Sequence, residues 1–347
     1  LEEWKLTELR SDNTIMYSSN SKSVPNRDLS DLDLFIPNTS HSAIYEYWIA
    51  NYFNIRNVNN ILNSLNVNYD PASGVVNAAT TKVEITEAQK KVVSSEAAFI
   101  RAYHYFNLVR LYGGVMLIHE PVDPFEATKL NRATTDEIYK LIIADLTYAA
   151  ANGTTLKYAS IPTADLGKSN AWTAKALLAK VYLTLNRKTD AIPLLNDIIA
   201  NSGYGLVSSY ADVFSITNEM NKEVMFAIRY KAGGISQGSP FPNLFAPELS
   251  GVAIINGDGS SQNAPCAELN SAYNVLDNRN AASIGVYGKA LNNLYPKKMI
   301  SQVSLKGDAE NDWIVIRYAD ILLMLAEAQG NTPASLALIN QTRARAG

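Results

Sequence analysis

Ionisable side chains suited to catalysis gather in one aromatic-rich segment, residues 96–112, which carries Glu96, Arg101, His104 and Arg110. One interpretation makes Glu96 and His104 an acid–base pair. The other places the charges in ion pairs and hydrogen bonds between packed helices, because a charge removed from water persists only when it is paired. We favour the structural interpretation. It extends to four more charged residues on apolar segments: Asp145, Arg317, Asp320 and Glu327.

Other catalytic or metal-binding patterns are weak. Glycoside hydrolysis needs two carboxyl groups about 5–9.5 Å apart, but no spacing singles out a pair among the 33 Asp and Glu residues. His41, His104 and His119 are dispersed, and no HExxH motif occurs. The single cysteine, Cys266, follows Pro265 in polar sequence without a neighbouring base, so we expect an idle thiol. We predict a protein that is not an enzyme and has no metal and no cofactor.

Composition limits the remaining function classes. Hydrophobic residues make up 47% of the 347 residues, enough for a large core, and the net charge of −3 with no basic tract argues against a nucleic-acid partner. No apolar run reaches the 18 or more residues typical of a membrane-spanning helix. The chain begins at Leu1 without a signal-peptide pattern and ends at Gly347 just after a helix-like segment, so we expect truncation at both ends.

Helical periodicity dominates the chain. Thr86 and the pair Gly113-Gly114 are start and stop signals for the longest helix. Residues 66–82, rich in Asn and containing Pro71 and Gly74, are predicted to be a loop, and residues 223–230 a short strand. Helices are predicted at 43–65, 85–112, 134–151, 170–185, 188–201, 313–329 and 332–345.

These helices form pairs with tight turns. In residues 170–203, Ala179 is followed by Tyr182 and then by Ala191, which is similar to the tetratricopeptide pattern of about 34 residues. Small residues let paired helices approach closely, and bulky ones fill the groove between neighbours. The prediction is a mainly α fold of tetratricopeptide-like helical hairpin repeats, an α-α superhelix, with a loop-rich insertion containing short strands.

We expect a single domain over residues 1–347. The helical repeats would occupy about 43–205 and 313–347, and the insertion, rich in Gly, Ser, Asn and Pro, about 206–312.

Residues 96–122, EAAFIRAYHYFNLVRLYGGVMLIHEPV, resemble the signature helix of the SusD/RagB family, although Met116 replaces the family's usual proline. More segments are similar to the family and occur in its order: 8–13, 132–146, 174–183, 277–279 and 316–328. The resemblance covers nearly the whole chain. It lacks the family's first helix, its C-terminal segment and the cysteine that carries the lipid.

The resemblance implies a lipid-anchored protein at the cell surface, on the outer membrane. Its expected partners are a glycan or oligosaccharide ligand and a SusC-like TonB-dependent transporter, to which it hands the nutrient. Membrane attachment would occur only through an N-terminal lipid anchor outside this chain. The alternative is a protein-interaction scaffold whose repeats mainly dock the transporter, with little direct ligand contact.

Sugar recognition needs flat aromatic faces together with hydrogen-bonding side chains. Aromatic residues in loop-like sequence are suited to the first role, although each is equally suited to local burial: Tyr17, Tyr69, Phe241, Phe245, Tyr273, Tyr287 and Tyr295. As ligand-binding residues we predict Asp12, Asn13 and Tyr17 after the first family-like segment, and Tyr287 and Tyr295 in the insertion.

Overall fold

The computed structural model describes residues 3–16, 26–288 and 294–347, and the chain divides into two compact units. The loop unit comprises Leu1–Tyr47, Leu206–Val315 and Asn340–Gly347. The helical unit comprises Trp48–Gly205 and Ile316–Ile339. Each unit has buried apolar residues of its own.

The α-helices of the described residues are α1 (Glu3–Leu6), α2 (Asn26–Asp33), α3 (Ser42–Ser64), α4 (Glu87–Tyr112), α5 (Pro124–Ala127), α6 (Thr135–Asn152), α7 (Ala171–Thr184), α8 (Lys188–Asn201), α9 (Phe241–Phe245), α10 (Ala267–Ala272), α11 (Asn278–Ser283), α12 (Tyr318–Gln329) and α13 (Pro333–Ala346). The strands are β1 (Thr14–Ile15), β2 (Val67–Asp70), β3 (Val75–Ala78), β4 (Val224–Ile228), β5 (Ala264–Pro265), β6 (Ile284–Val286), β7 (Leu294–Pro296) and β8 (Trp313–Arg317). In the described part of the chain, no helix combines the length and the apolar composition needed to cross a membrane.

Local capping fixes the ends of the long helices in the helical unit. The hydroxyl of Thr86 accepts a hydrogen bond from the backbone of Gln89, whose side chain accepts one in return from the Thr86 backbone. Thr134 and Glu137 form the same capping box at the start of α6. Gly113 ends α4 with a φ of 69°, a conformation that glycine adopts without strain. The predicted starts and the predicted stop of α4 are therefore confirmed.

Successive helices of the helical unit pack side by side: α4 on α6, α6 on α7, α7 on α8, and α8 on α12. Ala98 and Ala102 of α4 and Ala174 and Ala179 of α7 are 0% exposed, so the helices approach closely at these positions. The prediction of a mainly α fold built from tetratricopeptide-like hairpins is confirmed.

The buried cation of α4, Arg101, has structural partners. The guanidinium of Arg101, which is 0% exposed, donates to both carboxylate oxygens of Asp145 at 2.8 and 2.7 Å. It also donates to Asn59 Oδ1 at 2.9 Å and to the backbone oxygen of His119 at 2.7 Å. Burial lowers the pKa of His104 to about 4, so this imidazole is neutral near pH 7.

The acid–base alternative finds no support in this geometry. Glu96 and His104 are eight residues apart on one helix, which corresponds to about 12 Å along the axis. Asp320 forms a surface ion pair with Lys180 at 3.1 Å, whereas Glu327 is exposed. The structural interpretation of the charges is therefore strongest at Arg101.

Two segments differ from the sequence prediction. Residues 66–82 contain an antiparallel hairpin instead of a loop, in which Val67 pairs with Ala78 and the side chains of Val67, Tyr69 and Val76 are buried. The alternation of Val and Tyr with polar residues favours strands despite the Asn-rich composition. Helix α12 begins at Tyr318, because the preceding β-branched run forms β8 and pairs with β4.

The loop unit is held together by short two-stranded ladders, and the first two named next join segments distant in sequence. β1 pairs with β5, β4 with β8, and β6 with β7. An aromatic cluster lies in its core, where Phe241 stacks on Phe245 at 5.5 Å and Trp4 meets Phe245 edge to face at 5.1 Å. The predicted loop-rich insertion with short strands, including the strand within residues 223–230, is confirmed.

Candidate functional site

A cavity of about 230 Å³ opens into the loop unit. Residues of β1, α9, α10 and the strands β5 to β8 form its wall, together with two short 3₁₀ segments, Ala211–Phe214 and Lys297–Met299. Most of these elements belong to the insertion that the sequence predicted to be loop-rich. The cavity is therefore assembled by chain segments that only the tertiary fold brings together.

Aromatic side chains form the apolar part of the wall. Phe214, Tyr273 and Trp313 are partly exposed, and Phe245 is buried behind them. The indole of Trp313 packs against Phe241 with ring centroids 5.3 Å apart, and Phe245 is fixed by the aromatic core. These contacts hold the rings of Trp313 and Phe245 in place, and aromatic rings are the side chains suited to packing on apolar faces of a bound molecule.

Polar side chains share the same wall: Glu8, Thr14, Asn263, Ser283 and Lys298. The hydroxyl of Thr14 donates to the backbone oxygen of Glu8 at 3.0 Å. The ammonium of Lys298 lies 5.1 Å from the ring centroid of Phe214, a distance typical of a cation–π contact. The cavity therefore combines aromatic, apolar surfaces with hydrogen-bonding side chains, including the acidic Glu8 and the basic Lys298.

One side of the cavity depends on the pairing of β1 with β5. Thr14 lies opposite Pro265 in this antiparallel ladder. The thiol of Cys266 donates to the backbone oxygen of Asp12 at 3.1 Å and accepts from the backbone of Leu269 at 3.3 Å. The cysteine is thus a buried cap of α10 that ties the N-terminal segment to the insertion, consistent with an idle thiol.

Another part of the wall depends on the antiparallel pairing of β6 with β7, in which Gly285 lies opposite Tyr295. A Cβ atom at Gly285 would lie 2.2 Å from Cζ of Tyr295, so only glycine leaves room for this ring. Ser283, which directly precedes β6, and Pro296, the last residue of β7, line the cavity.

A groove of about 320 Å³ adjoins the cavity and shares Phe214 and Lys298 with it. Lys297, Asn278 and Ser215 also line this groove. The groove and the cavity therefore have part of their walls in common.

The predicted ligand-binding residues that the structure describes lie near the cavity in sequence, but they are not part of its described lining. Asp12 and Asn13 are exposed and directly precede the cavity residue Thr14. Tyr17 lies outside the described residues.

The two predicted tyrosines of the insertion are half-buried. The hydroxyl of Tyr287 donates to the backbone oxygen of Leu249 at 3.4 Å. Tyr295 directly precedes the cavity residue Pro296, and burial raises the pKa of its phenol. All five of these residues, Asp12, Asn13, Tyr17, Tyr287 and Tyr295, remain predictions as ligand contacts.

Several cavity residues were missed from sequence. Trp313 was assigned to a helix, although it begins β8. Asn263 and Ser283 are ordinary polar residues in loop-like sequence, and nothing local distinguishes them. Tyr273 and Phe245 belong to the loop aromatics that the sequence singled out, and that composition was the one usable signal. The described residues contain no group of three or more His, Cys, Asp or Glu side chains arranged to hold a metal ion.

Comparison with known proteins gives matches along most of the chain. The family model described as "Starch-binding associating with outer membrane" matches residues 3–183, and the model of the SusD family matches residues 229–347. SusD-like protein P25 of Formosa agariphila is 26% identical over 312 residues, which cover 76% of this chain and 57% of that protein. The chain thus spans little more than half the length of this relative.

Solved structures share the fold over the full chain. A laminarin-binding SusD-like protein matches with a TM-score of 0.81 and 23% identity, covering 100% of this chain and 79% of that one. Surface glycan-binding protein A from Bacteroides thetaiotaomicron, in complex with laminarihexaose, matches with a TM-score of 0.81 and 17% identity, covering 100% and 77%. At these identities the likeness establishes the fold.

Proposed function

The chain belongs to the SusD family, whose starch-binding model matches residues 3–183, and from this premise we propose that it captures a glycan or oligosaccharide at the cell surface. In this proposal it delivers the nutrient to a SusC-like TonB-dependent transporter of the outer membrane. The family description, which names both starch binding and the outer membrane, supports the location and the ligand class. The lipid anchor and the transporter partnership follow from the family resemblance.

The observation that carries the proposal is the mixed lining of the cavity. Sugar rings have apolar C–H faces that pack on aromatic rings and hydroxyl edges that need hydrogen-bond partners. Trp313 and Tyr273 supply the first kind of surface, and Glu8 and Lys298 supply the second. Two structural relatives, a laminarin-binding SusD-like protein and a surface glycan-binding protein in complex with laminarihexaose, agree with this ligand class.

The cavity is suited to binding and not to hydrolysis. Glu8 supplies the sole carboxylate in the described lining. Cleavage of a glycoside by the usual mechanism needs two carboxyl groups on opposite sides of the bond. The proposal therefore includes capture and release of the glycan without a chemical step.

A docking scaffold is the second candidate. On α3 of the helical unit, the apolar side chains of Ile49, Phe53 and Ile61 are 45%, 54% and 42% exposed. Exposed apolar residues on one helix favour contact with another protein. This role is compatible with glycan capture in the loop unit.

Calorimetric titration with laminarihexaose, followed by a glycan array, tests the proposal. We expect Tyr273→Ala to weaken binding about tenfold, because removing an aromatic anchor costs on the order of 1.4 kcal/mol or more. The matched control is Phe125→Ala, which removes a 68% exposed aromatic ring of the helical unit and should leave the affinity unchanged. If no saccharide binds, even with the transporter present, glycan capture is wrong and the docking scaffold is favoured.

A further inference from the structure

The groove of about 320 Å³ in the loop unit is lined by two consecutive lysines, Lys297 and Lys298, and its described lining contains no carboxylate. Asn278 and Ser215 add neutral polar side chains, and Phe214 adds a partly exposed aromatic ring. The chain as a whole has a net charge of −3. The positive charge of the groove is therefore a local feature and not part of a generally basic protein.

The ammonium group of each lysine is held by a contact with another residue of the groove wall. Nζ of Lys297 donates to the backbone oxygen of Ala281 at 2.6 Å, and Nζ of Lys298 lies 5.1 Å from the ring centroid of Phe214. An ammonium has three N–H groups, so the bond to Ala281 leaves two for another acceptor. Lys297 is exposed and Lys298 is half-buried, so solvent reaches both side chains.

Neither lysine has a counter-charge: in the part of the chain that the structure describes, Lys297 and Lys298 form no ion pair. Three carboxylates share the wall of a neighbouring cavity with Lys298, and each of them already has a cationic partner. The pairs are Arg229 with Glu219 at 2.6 Å, Arg229 with Asp312 at 3.3 Å, and Lys231 with Glu310 at 2.6 Å. The contact of Lys298 with Phe214 stabilises a cation without neutralising it.

Two neighbouring cations in a groove without a carboxylate favour an anionic group as their partner, because hydrogen bonds between ammonium and an anion are about twice as strong as neutral ones. An acidic sugar supplies such a group. Its hydroxyls are also suited to Asn278 and Ser215, and its C–H face is suited to Phe214.

We infer that the groove binds an acidic unit of the glycan, a sugar that carries a carboxylate or a sulfate, with Lys297 and Lys298 as its charge partners. This inference rests on the proposed function and names the class of glycan within it.

Three probes with one sugar skeleton test the inference by calorimetric titration. They are laminarihexaose, laminarihexaose whose primary hydroxyls are oxidised to carboxylates, and laminarihexaose whose primary hydroxyls are sulfated. We expect at least one charged probe to bind about tenfold more tightly than the neutral one at about 0.05 M salt. About 0.5 M salt should remove most of this preference, because salt screens solvent-exposed charges. The tighter of the two charged probes identifies the anionic group.

Substitution of the lysines locates the preference in the groove. We expect Lys297→Gln and Lys298→Gln each to lower the preference for the charged probe about three- to tenfold. Lys297→Arg keeps the charge and should keep the preference. The matched control is Lys306→Gln, which removes an exposed lysine of the same unit outside the described groove wall and should also keep it. Thermal melting verifies that the variants are folded, and Lys297 is exposed, so its variants should melt with the unaltered protein.

The outcomes separate the inference from the proposed function. If laminarihexaose binds as tightly as its charged forms, or if Lys297→Gln and Lys306→Gln change the preference equally, the acidic class is wrong although glycan capture stands. If none of the three probes binds, the acidic array oligosaccharide that binds most tightly and its carboxyl-reduced or desulfated form replace them. An array that yields only neutral binders overturns the inference, and an array without any binder overturns both.

Discussion

Replacing Asp145 with alanine removes the carboxylate that neutralises the guanidinium of Arg101. Both side chains are 0% exposed, and two of the hydrogen bonds of Arg101 go to this one partner. The remaining bonds, to Asn59 and to the backbone of His119, carry no charge that compensates the cation. Removing one partner of a buried ion pair costs about 3–5 kcal/mol. With about 2–4 °C per kcal/mol for a unit of 150–250 residues, we expect the melting temperature of the helical unit to fall by roughly 6–20 °C.

Urea unfolding followed by circular dichroism, together with calorimetric melting, measures this loss. The control is Asp320→Ala, which breaks a pair to Lys180 whose side chains are 39% and 42% exposed and should cost below about 1 kcal/mol. Replacing both members of the buried pair with apolar residues, Arg101→Met with Asp145→Leu, should recover most of the stability. Equal losses for Asp145→Ala and Asp320→Ala would refute the reasoning that the α4 charges hold the helices together.

Two more predictions concern pH and packing. The pKa of His104 is about 4, below the roughly 6.5 of an unfolded chain, so the unfolded state binds more protons between these values and stability falls as the pH drops through that window. The loss is about 3 kcal/mol at most, and urea unfolding of His104→Gln between pH 7 and 4 should lack this part of the pH dependence. Gly285→Ala should cost about 1–3 kcal/mol because its Cβ collides with the ring of Tyr295, whereas Gly205→Ala, with no atom within 4 Å of the added Cβ, should be nearly neutral in thermal melting.

Helices whose ends are specified locally could be predicted closely from sequence. Thr86 and Thr134 cap α4 and α6 through residues only three positions away, and Gly113 ends α4 through its own backbone freedom. Such signals are complete within a few residues, so they survive in the sequence. An ion pair or hydrogen bonds for Arg101 were also expected, since a charge on an apolar helix face must find a partner.

Elements that depend on distant partners were predicted less well. β8 begins at Trp313 because β4, more than 80 residues earlier, offers its edge, and an apolar run alone does not distinguish such a strand from a helix. The hairpin of β2 and β3 was not predicted, because its asparagines are typical of loops. The cavity could not be predicted from the sequence, because its wall is assembled only on folding. The unpaired state of Asn263 and Ser283 likewise arises only after folding.

The distribution of strain argues that function is concentrated in the loop unit. Among the described residues, ten buried side-chain polar atoms lack a partner within the protein, and nine of them belong to this unit. In the part of the chain that the structure describes, eight non-glycine residues have a positive φ, and six of them belong to this unit as well. The two units are of similar length, so size does not explain the difference. Unpaired polar groups and strained backbone reduce stability, and they persist where binding needs them. The helical unit, in which Arg101 is fully paired, has the opposite character, which is that of a scaffold.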